Sequence, residues 1–477
     1  MNLVAAAGLR STVSTWLTGV KLLSESIIMR FFGRLCLAVL TLGSIYLPYG
    51  RGQHEPQKDV HAIDLPLAHR YFEQARALAE VDGGRLWGKN LYGPMLFVDP
   101  ATRAIVANQG DRGKTLRPQR DLWVGTLPPK YGIAKTALVW NGIKWTMVIW
   151  PLPDDRYARG RLLMHELFHR IQEDLGLPMA DPDNPHLATR DGRIWLRLEW
   201  RALREALIRG GEQRQRVMVD ALVFRAYRYR LFPKAADTER CMELNEGLAE
   251  YTGLRLSGLP TDVLADRAAV QLTQQEQQPS FVRSFAYASG PAYGILLDGS
   301  GLNWRHELSS KSDLVKLLAS ALKIELPNGE AREARRRAER YDGDRVIAAE
   351  TQREQSRQHM QANFRSRFID GPVLELPATN DVRYTFNPQA VEVLERGGGT
   401  VYLTARVTDA WGVLTVTSGG VLLVRDANGR VKGWRVPAPP DPHKQPLHGD
   451  GWSLESAKGW TLQPGPRRGD WRRHKGF

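Results

Sequence analysis

The most constraining feature of this 477-residue chain is a pair of histidines inside one predicted helix. Residues 156–175 have helical periodicity and are followed by a Gly-Leu-Pro stop. His165 and His169 stand at positions i and i+4, so both imidazoles lie on one helix face, one turn apart. Neighbours such as Leu163 and Phe168 are apolar, which favours a helix packed into a core. Unpaired buried imidazoles are costly, so the spacing indicates a shared metal ion.

Glu166 directly follows the first histidine and completes the sequence HELFH. This pattern is typical of a Zn²⁺ site in which the Glu takes a proton from the zinc-bound water. Cysteine ligands are excluded, because the chain has only Cys36 and Cys241 and the first lies in a predicted targeting segment. The alternative is an ordinary helix with two exposed histidines and a solvated Glu166.

A catalytic zinc site needs a third protein ligand and an open position. The string LNEGLAEY, residues 244–251, resembles the second motif of the gluzincin zinc metallopeptidases, the thermolysin-like and aminopeptidase N-like enzymes. The resemblance implies a zincin-like fold with Glu246 as the third ligand. It also implies that Glu250, four residues later on the same face, orients a ligating histidine without touching the metal, with Asn245 in a supporting position. The alternative for Glu246 is a solvated acidic stripe.

The chain departs from this family in two ways. Glu246 follows His169 by 77 residues (246 − 169), far more than is usual in the family. The Gly-x-Met-Glu-Asn exopeptidase motif is also absent from the sequence. Glu199, 30 residues after His169, is the alternative metal ligand; its other interpretation is a salt bridge to Arg201 or Arg204.

A peptidase also needs a donor for the oxyanion that forms during peptide hydrolysis. Residues 285–294, FAYASGPAYG, follow the third-ligand motif and contain Tyr287 and Tyr293. Either tyrosine is a candidate for this role, and both could instead be core aromatics. The resemblance also implies an edge strand near the metal that pairs with extended substrate, and residues 143–150 or 122–126 are the candidates. The alternative is that the tryptophans of these segments belong to a core.

The sequence pattern predicts an α+β chain of several parts. Residues 60–329 form the metallopeptidase-like domain, with β-hairpins followed by a mainly helical part that carries a helical insertion at 185–237. Residues 330–370 are a charged helical connector, predicted to be solvated. Residues 371–477 alternate like strands and form a small all-β domain with a basic, frayed tail.

The N-terminal region, residues 1–52, is predicted to be an upstream extension followed by a signal peptide or an anchor. Leu35–Leu47 is an apolar run of 13 residues, preceded by Arg30 and Arg34. A basic flank and a short apolar core are typical of a secretory signal, and Met29 is a suitable start. We therefore expect an exported protein, periplasmic or secreted, that contacts a membrane only through this segment and only if the segment is not cleaved.

The formal charge of +14, from 66 basic and 52 acidic residues, raises the question of nucleic-acid binding. The surplus is spread thinly, with one denser stretch at residues 190–230. Nucleic-acid binders usually concentrate charge on one face, so this partner is disfavoured. The sequence favours a zinc-dependent peptidase that acts on peptides or proteins. The alternative is an envelope protein on a degenerate peptidase fold that binds or scaffolds through its β domain.

Overall fold

The computed structural model describes residues 63–476, with gaps at residues 129–130, 134–135, 178, 380–381, 387–390, 395–397 and 427–429. Residues His61–Phe477 form one compact unit of the α+β class. The predicted extension and signal segment, residues 1–52, lie outside the described residues. Among the described residues, no helix is both long enough and apolar enough to cross a membrane.

The unit begins with a helix and a six-stranded sheet. Helix α1 spans Leu65–Asp82. The strands are β1 Met95–Val98, β2 Ala104–Ala107, β3 Arg117–Gln119, β4 Leu122–Thr126, β5 Thr136–Trp140 and β6 Ile143–Ile149. Their order is β3-β4-β2-β1-β6-β5, and β1 and β6 run parallel while the other pairs are antiparallel. Asn141 and Gly142 both have positive φ, which produces the predicted tight hairpin between β5 and β6.

A mainly helical region follows the sheet. The helices are α2 Arg156–Gln172, α3 Arg190–Ile208, α4 Gly211–Leu231, α5 Ala235–Met242, α6 Leu248–Arg255, α7 Leu264–Gln275, α8 Ala286–Asp298, α9 Leu314–Ala321, α10 Glu330–Ala338 and α11 Gly343–Arg365. A π-helical turn, Glu243–Gly247, joins α5 to α6 without a break. The two helices predicted on either side of Gly210-Gly211 correspond to α3 and α4.

The two motif helices, α2 and α6, pack closely because small residues stand where they meet. A Cβ atom on Gly253 of α6 would lie 2.6 Å from the backbone oxygen of Arg161 on α2. Behind α6, Gly290 of α8 faces Gly247, and a Cβ on Gly290 would lie 2.2 Å from the Cα of Gly247. Real Cβ atoms do not approach backbone so closely, so these contacts require glycine.

Residues after 371 form two sheets over one core, and their strand pairs are antiparallel except for the parallel pair of β18 and β7. The strands are β7 Val373–Pro377, β8 Arg383–Phe386, β9 Val391–Leu394, β10 Gly399–Tyr402, β11 Ala405–Asp409, β12 Gly412–Val416, β13 Val421–Arg425, β14 Val431–Pro437, β15 Leu447–Gly449, β16 Trp452–Ser456, β17 Trp460–Pro464 and β18 Trp471–Lys475. Their orders are β17-β18-β7-β14-β13-β10-β9 and β15-β16-β12-β11-β8. The basic tail is not frayed, because β18 pairs with both β17 and β7.

The charged segment at residues 330–370 packs against the helical region instead of lying in solvent. Ala334, Ala338 and Val346 belong to the main hydrophobic core. Glu350 of α11 is 2% exposed and accepts hydrogen bonds from Arg193 and Arg197 of α3, at 2.7 and 2.8 Å. The alanines therefore place this segment in the core of the helical region, and the ion pairs of Glu350 tie it to α3.

Replacing Gly290 with alanine tests the close contact between α8 and the π turn. Helix propensity alone favours alanine by about 1 kcal/mol. The contact with Gly247 predicts the opposite sign, a loss of about 1–3 kcal/mol, because backbone must move to admit the methyl group. Denaturant unfolding measures the change. Gly132→Ala is the control, since no atom of the described residues lies within 4 Å of a Cβ there. An equal or higher stability of Gly290→Ala would contradict the contact.

Candidate metal centre

Helix α2 places the two motif histidines and Glu166 in the interior of the protein. The side chain of Asp155 caps the helix by accepting hydrogen bonds from the backbone N–H groups of Tyr157 and Ala158. His165, Glu166 and His169 are all buried. The Nε2 atoms of the two histidines are 3.1 Å apart, so both imidazoles face a common point.

Glu246 completes a triangle with the two histidines. Its Oε2 atom lies 3.5 Å from Nε2 of His165 and 3.5 Å from Nε2 of His169. Within the described residues, these three form the only group of His, Cys, Asp and Glu side chains whose ligand atoms all lie within 4.8 Å of one another. Tetrahedral zinc with ligands at about 2.0–2.2 Å holds donor atoms roughly 3.3–3.6 Å apart. The two edges to Glu246 lie within this range, and the 3.1 Å edge between the histidines is slightly shorter. The donor set and its spacing therefore fit Zn²⁺.

The third member of the triangle comes from the π-helical turn Glu243–Gly247. This turn contains both Asn245 and Glu246 and interrupts a helix that otherwise runs from Ala235 to Arg255. Such π turns are rare and occur frequently at functional sites. The extra residue in the turn changes which side chains face α2, so an ideal 3.6-residue period does not describe this segment.

Each histidine is oriented through its second ring nitrogen. Nδ1 of His165 lies 2.7 Å from Oε2 of Glu250, and Nδ1 of His169 lies 2.8 Å from Oε1 of Gln172. Carboxylate and amide oxygens only accept, so each Nδ1 donates and each Nε2 is left free to bind a metal. Arg161 forms an ion pair with Glu250, and Nε2 of Gln172 donates to Asn245 at 3.1 Å.

Gln172 and Arg161 are the two site residues that the sequence did not reveal. Gln172 lies three residues after His169 on α2, and Arg161 lies four residues before His165. Residues three or four apart on a helix are neighbours on its surface, so this spacing was the available signal. Neither residue belongs to the HELFH or LNEGLAEY strings, and helix spacing alone does not single them out from other polar neighbours.

Electrostatics show that the triangle stabilises a positive charge. Burial acts to lower the pKa of His165, but its hydrogen bonds to Glu246 and Glu250 raise it to about 10. Burial acts to raise the pKa of Glu250, but His165 and Arg161 lower it to about 2. Burial also acts to raise the pKa of Glu246, but the two histidines outweigh it and hold this pKa well below its usual range. A cation bound by these groups would replace the proton on His165.

Tyr287 of α8 stands next to the triangle. Its hydroxyl donates to Oε2 of Glu246 at 2.7 Å, and its ring stacks on His165 with centroids 5.7 Å apart. Burial and the neighbouring Glu246 carboxylate raise the pKa of Tyr287 well above its usual range. The hydroxyl therefore keeps its proton near neutral pH and can act as a hydrogen-bond donor.

The triangle forms part of the wall of a cavity of about 360 Å³. Glu166 lines this cavity together with Tyr287 and all three members of the triangle. The remaining lining residues are Ala158, Arg161, Leu162 and Glu250. A small polar or peptide group in the cavity would thus contact the triangle, a carboxylate and a phenol at once.

The structure does not bring Glu199 or Tyr293 to the triangle. Both are fully buried, and the hydroxyl of Tyr293 donates to Oε1 of Glu199 at 2.7 Å. Glu199 also accepts hydrogen bonds from Arg225 at 2.8 Å and from Arg228 at 2.6 Å. Its salt bridges are therefore made with α4, not with Arg201 or Arg204. This arrangement leaves Tyr287 as the tyrosine beside the candidate metal centre.

The buried ion cluster around Arg225 and Arg228 supports the π turn Glu243–Gly247, which carries Glu246. Arg225 binds both carboxylate oxygens of Glu243, at 3.0 and 2.6 Å, and Glu243 is the first residue of the π turn. Arg228 binds Glu239 of α5 in the same bidentate manner. Burial raises the pKa of Glu243 to about 7, against the opposing effect of Arg225. The predicted insertion thus anchors the segment that carries Glu246.

The strands expected to pair with substrate are not edge strands. Strand β6, within residues 143–150, is flanked by β1 and β5, and strand β4, Leu122–Thr126, is flanked by β2 and β3. Neighbours on both sides occupy the backbone hydrogen-bonding groups of an internal strand. Within the described residues, the edges of this sheet are formed by β3 and β5, so the prediction for residues 143–150 and 122–126 is wrong.

Comparisons of the chain with known protein families, curated proteins and solved structures found no match.

Replacing Arg225 with methionine tests the support of the π turn. The change leaves the buried carboxylates of Glu199 and Glu243 without this partner, which predicts a loss of about 3–5 kcal/mol in the free energy of unfolding. Arg216→Met is the matched control, because the side chain of Arg216 is 73% exposed and its ion pair lies in solvent. Denaturant unfolding of both variants measures the difference, and similar losses would contradict a supporting role for Arg225.

Proposed function

We propose that this chain is a zinc-dependent peptidase. The observation that carries the proposal is the triangle of His165 Nε2, His169 Nε2 and Glu246 Oε2, with edges of 3.1, 3.5 and 3.5 Å, in the wall of a cavity. Two imidazoles and a carboxylate are a ligand set used by catalytic zinc, which keeps its fourth position open. Glu166 and Tyr287 line the same cavity, so the proposal has a residue for each further chemical task.

We further propose that the arrangement of α2 and α6 is zincin-like and of the gluzincin type. The order of the motifs, the position of Glu246 and the hydrogen bond from His165 to Glu250 agree with what the resemblance implies. The long separation between His169 and Glu246 is accounted for by α3 and α4, which lie between the motif helices in the chain. The inferred extracytoplasmic location rests on residues 1–52 alone.

The residues of the cavity suggest how a peptide bond would be hydrolysed. Zinc held by the triangle would supply a Lewis acid that polarises the substrate carbonyl and makes water more acidic. Glu166 would take a proton from the water whose oxygen attacks the carbonyl carbon. It would then pass that proton to the amide nitrogen as the carbon–nitrogen bond breaks, which leaves a carboxylic acid and an amine.

Tyr287 would stabilise the negative charge that develops on the carbonyl oxygen. Its raised pKa keeps the phenol protonated, and its hydroxyl already donates to Glu246 beside the triangle. On substrate binding, the same O–H group could turn toward the oxyanion. The stack on His165 already holds the ring beside the triangle, so only the O–H group would need to turn, and a donor that is nearly in place costs little reorganisation.

Replacing Glu166 with glutamine separates metal binding from catalysis. Glutamine keeps the shape of the side chain but cannot take a proton, so we expect zinc to bind as in the wild type. Peptide cleavage should fall by about 10²–10⁴-fold if Glu166 is the general base. Metal content and hydrolysis of a casein-derived peptide mixture measure the two effects.

Glu212→Gln is the matched control for this substitution, because the side chain of Glu212 is 86% exposed on α4. It should leave both metal content and cleavage unchanged. Full activity of Glu166→Gln would contradict its role as the base. A wild-type protein that binds zinc but cleaves no peptide bond would contradict the proposed function itself.

Replacing Glu250 with glutamine tests how His165 is held. The amide keeps an oxygen acceptor but removes the negative charge that pairs with His165 and Arg161. Replacing a group that orients a metal-binding histidine typically lowers metal affinity by about 10–100-fold. We expect zinc affinity to fall by that factor in a chelator competition assay, whereas Glu212→Gln should match the wild type. Unchanged affinity of Glu250→Gln would contradict the role of this hydrogen bond.

A further inference from the structure

A second cavity of about 300 Å³ adjoins the candidate metal centre. Ala158 and Arg161 of α2 line both cavities. They precede His165 by seven and four residues, so all three lie on one face of the helix. The opposite wall is formed by the end of α6, by the segment that follows it and by α7. The residues that line this wall include Leu254, Leu259, Arg267, Val270, Gln271 and Gln274.

The charges that line this second cavity are mainly positive. Arg267 is exposed, and among the described residues no carboxylate pairs with it. Arg161 is the other cation, and its ion pair with Glu250 holds it at the boundary between the cavities. Asp155 is the single carboxylate among the described lining residues, and its side chain already accepts the N–H groups of Tyr157 and Ala158. The N-terminal end of α2 adds its own partial positive charge.

The wall also offers an acceptor that no other described residue uses. Nε2 of Gln271 donates to the backbone oxygen of Tyr287 and, at 3.4 Å, to Oε1 of Glu250. Oε1 of Gln271 is buried and has no hydrogen-bond partner among the described residues. A buried acceptor without a donor is costly, and a backbone N–H group of an extended peptide is a suitable donor.

The distance from the triangle fixes which part of a peptide would reach this cavity. A helix rises 1.5 Å per residue, so Arg161 and Ala158 lie about 6 and 10 Å from His165 along α2. An extended peptide advances about 3.3 Å per residue. The second cavity therefore lies two to three residues from a scissile bond held at the triangle.

We propose that the second cavity is a substrate subsite that accepts an acidic side chain two or three residues from the scissile bond. The Arg267 guanidinium pairs with the substrate carboxylate, and the apolar groups of Leu254, Leu259 and Val270 contact its aliphatic stem. Gln271 accepts a backbone N–H group of the same substrate. This proposal names the substrate class of the proposed peptidase and rests on that function.

The test uses fluorogenic peptides with one cleavable bond, in which Glu, Gln or Lys is placed in turn at each position up to three residues on either side. For the wild-type protein with zinc, kcat/KM should be about threefold to tenfold higher for Glu than for Gln at one position, and lowest for Lys. Arg267→Glu should invert this order at that position only. Arg216→Glu is the matched control, because Arg216 is exposed and lines neither cavity. This variant should show the same order of peptides as the wild type.

Binding to the Glu166→Gln variant separates this proposal from the proposed function. Fluorescence anisotropy of the same peptides measures affinity without turnover, with zinc present. A preference for Glu that Arg267→Glu removes supports the subsite, even if no peptide is cleaved and the peptidase proposal fails. The subsite proposal would be overturned if the Glu, Gln and Lys peptides had equal affinities and equal kcat/KM values. It would also be overturned if Arg267→Glu left a preference for Glu intact. Neither result would contradict peptide cleavage itself.

Discussion

The close approach of α2 and α6 is the constraint on which the candidate site depends. Gly253 lets the backbone of α6 lie against Arg161 of α2, where a side chain would collide with a carbonyl oxygen. Only at this separation can Glu250 reach Nδ1 of His165 at 2.7 Å and Glu246 stand 3.5 Å from both Nε2 atoms. A wider spacing would separate the donor atoms and leave buried charges without partners, which is costly.

The π turn that carries Glu246 is held from the opposite side by ion pairs as well as by apolar packing. Arg225 forms a bidentate ion pair with Glu243 at the start of this turn, and Tyr293 of α8 donates to Glu199 in the same cluster. Helix α8 therefore contributes one tyrosine to the cluster and another, Tyr287, to the candidate metal centre. Buried ion pairs have strict geometry, so they specify the position of the turn even where their net contribution to stability is small.

The sequence predicted the elements well where local signals decide them. The hairpin at Asn141-Gly142, the histidine helix and the helices around Gly210-Gly211 follow from turn residues and periodicity. It could not predict the π turn at residues 243–247, because no local signal marks the turn and its first residue, Glu243, is paired with Arg225 from a distant part of the chain. Nor could it separate Tyr287 from Tyr293: both lie on α8, and only the packed structure shows which one faces the histidines.

The basic stretch at residues 190–230 illustrates why charge counted along a chain is a poor guide to a surface. Arg193, Arg225 and Arg228 are buried in ion pairs with carboxylates of α3, α5, α11 and the π turn. Three of the cations in this stretch are thus consumed inside the fold, and two more, Arg197 and Arg201, pair with Glu276. Positive charge that is open to a ligand near the candidate metal centre comes instead from Arg267 on α7, which the local charge count does not distinguish. No carboxylate among the described residues pairs with Arg267, and this observation, more than the number of neighbouring cations, supports the proposal of an acidic substrate.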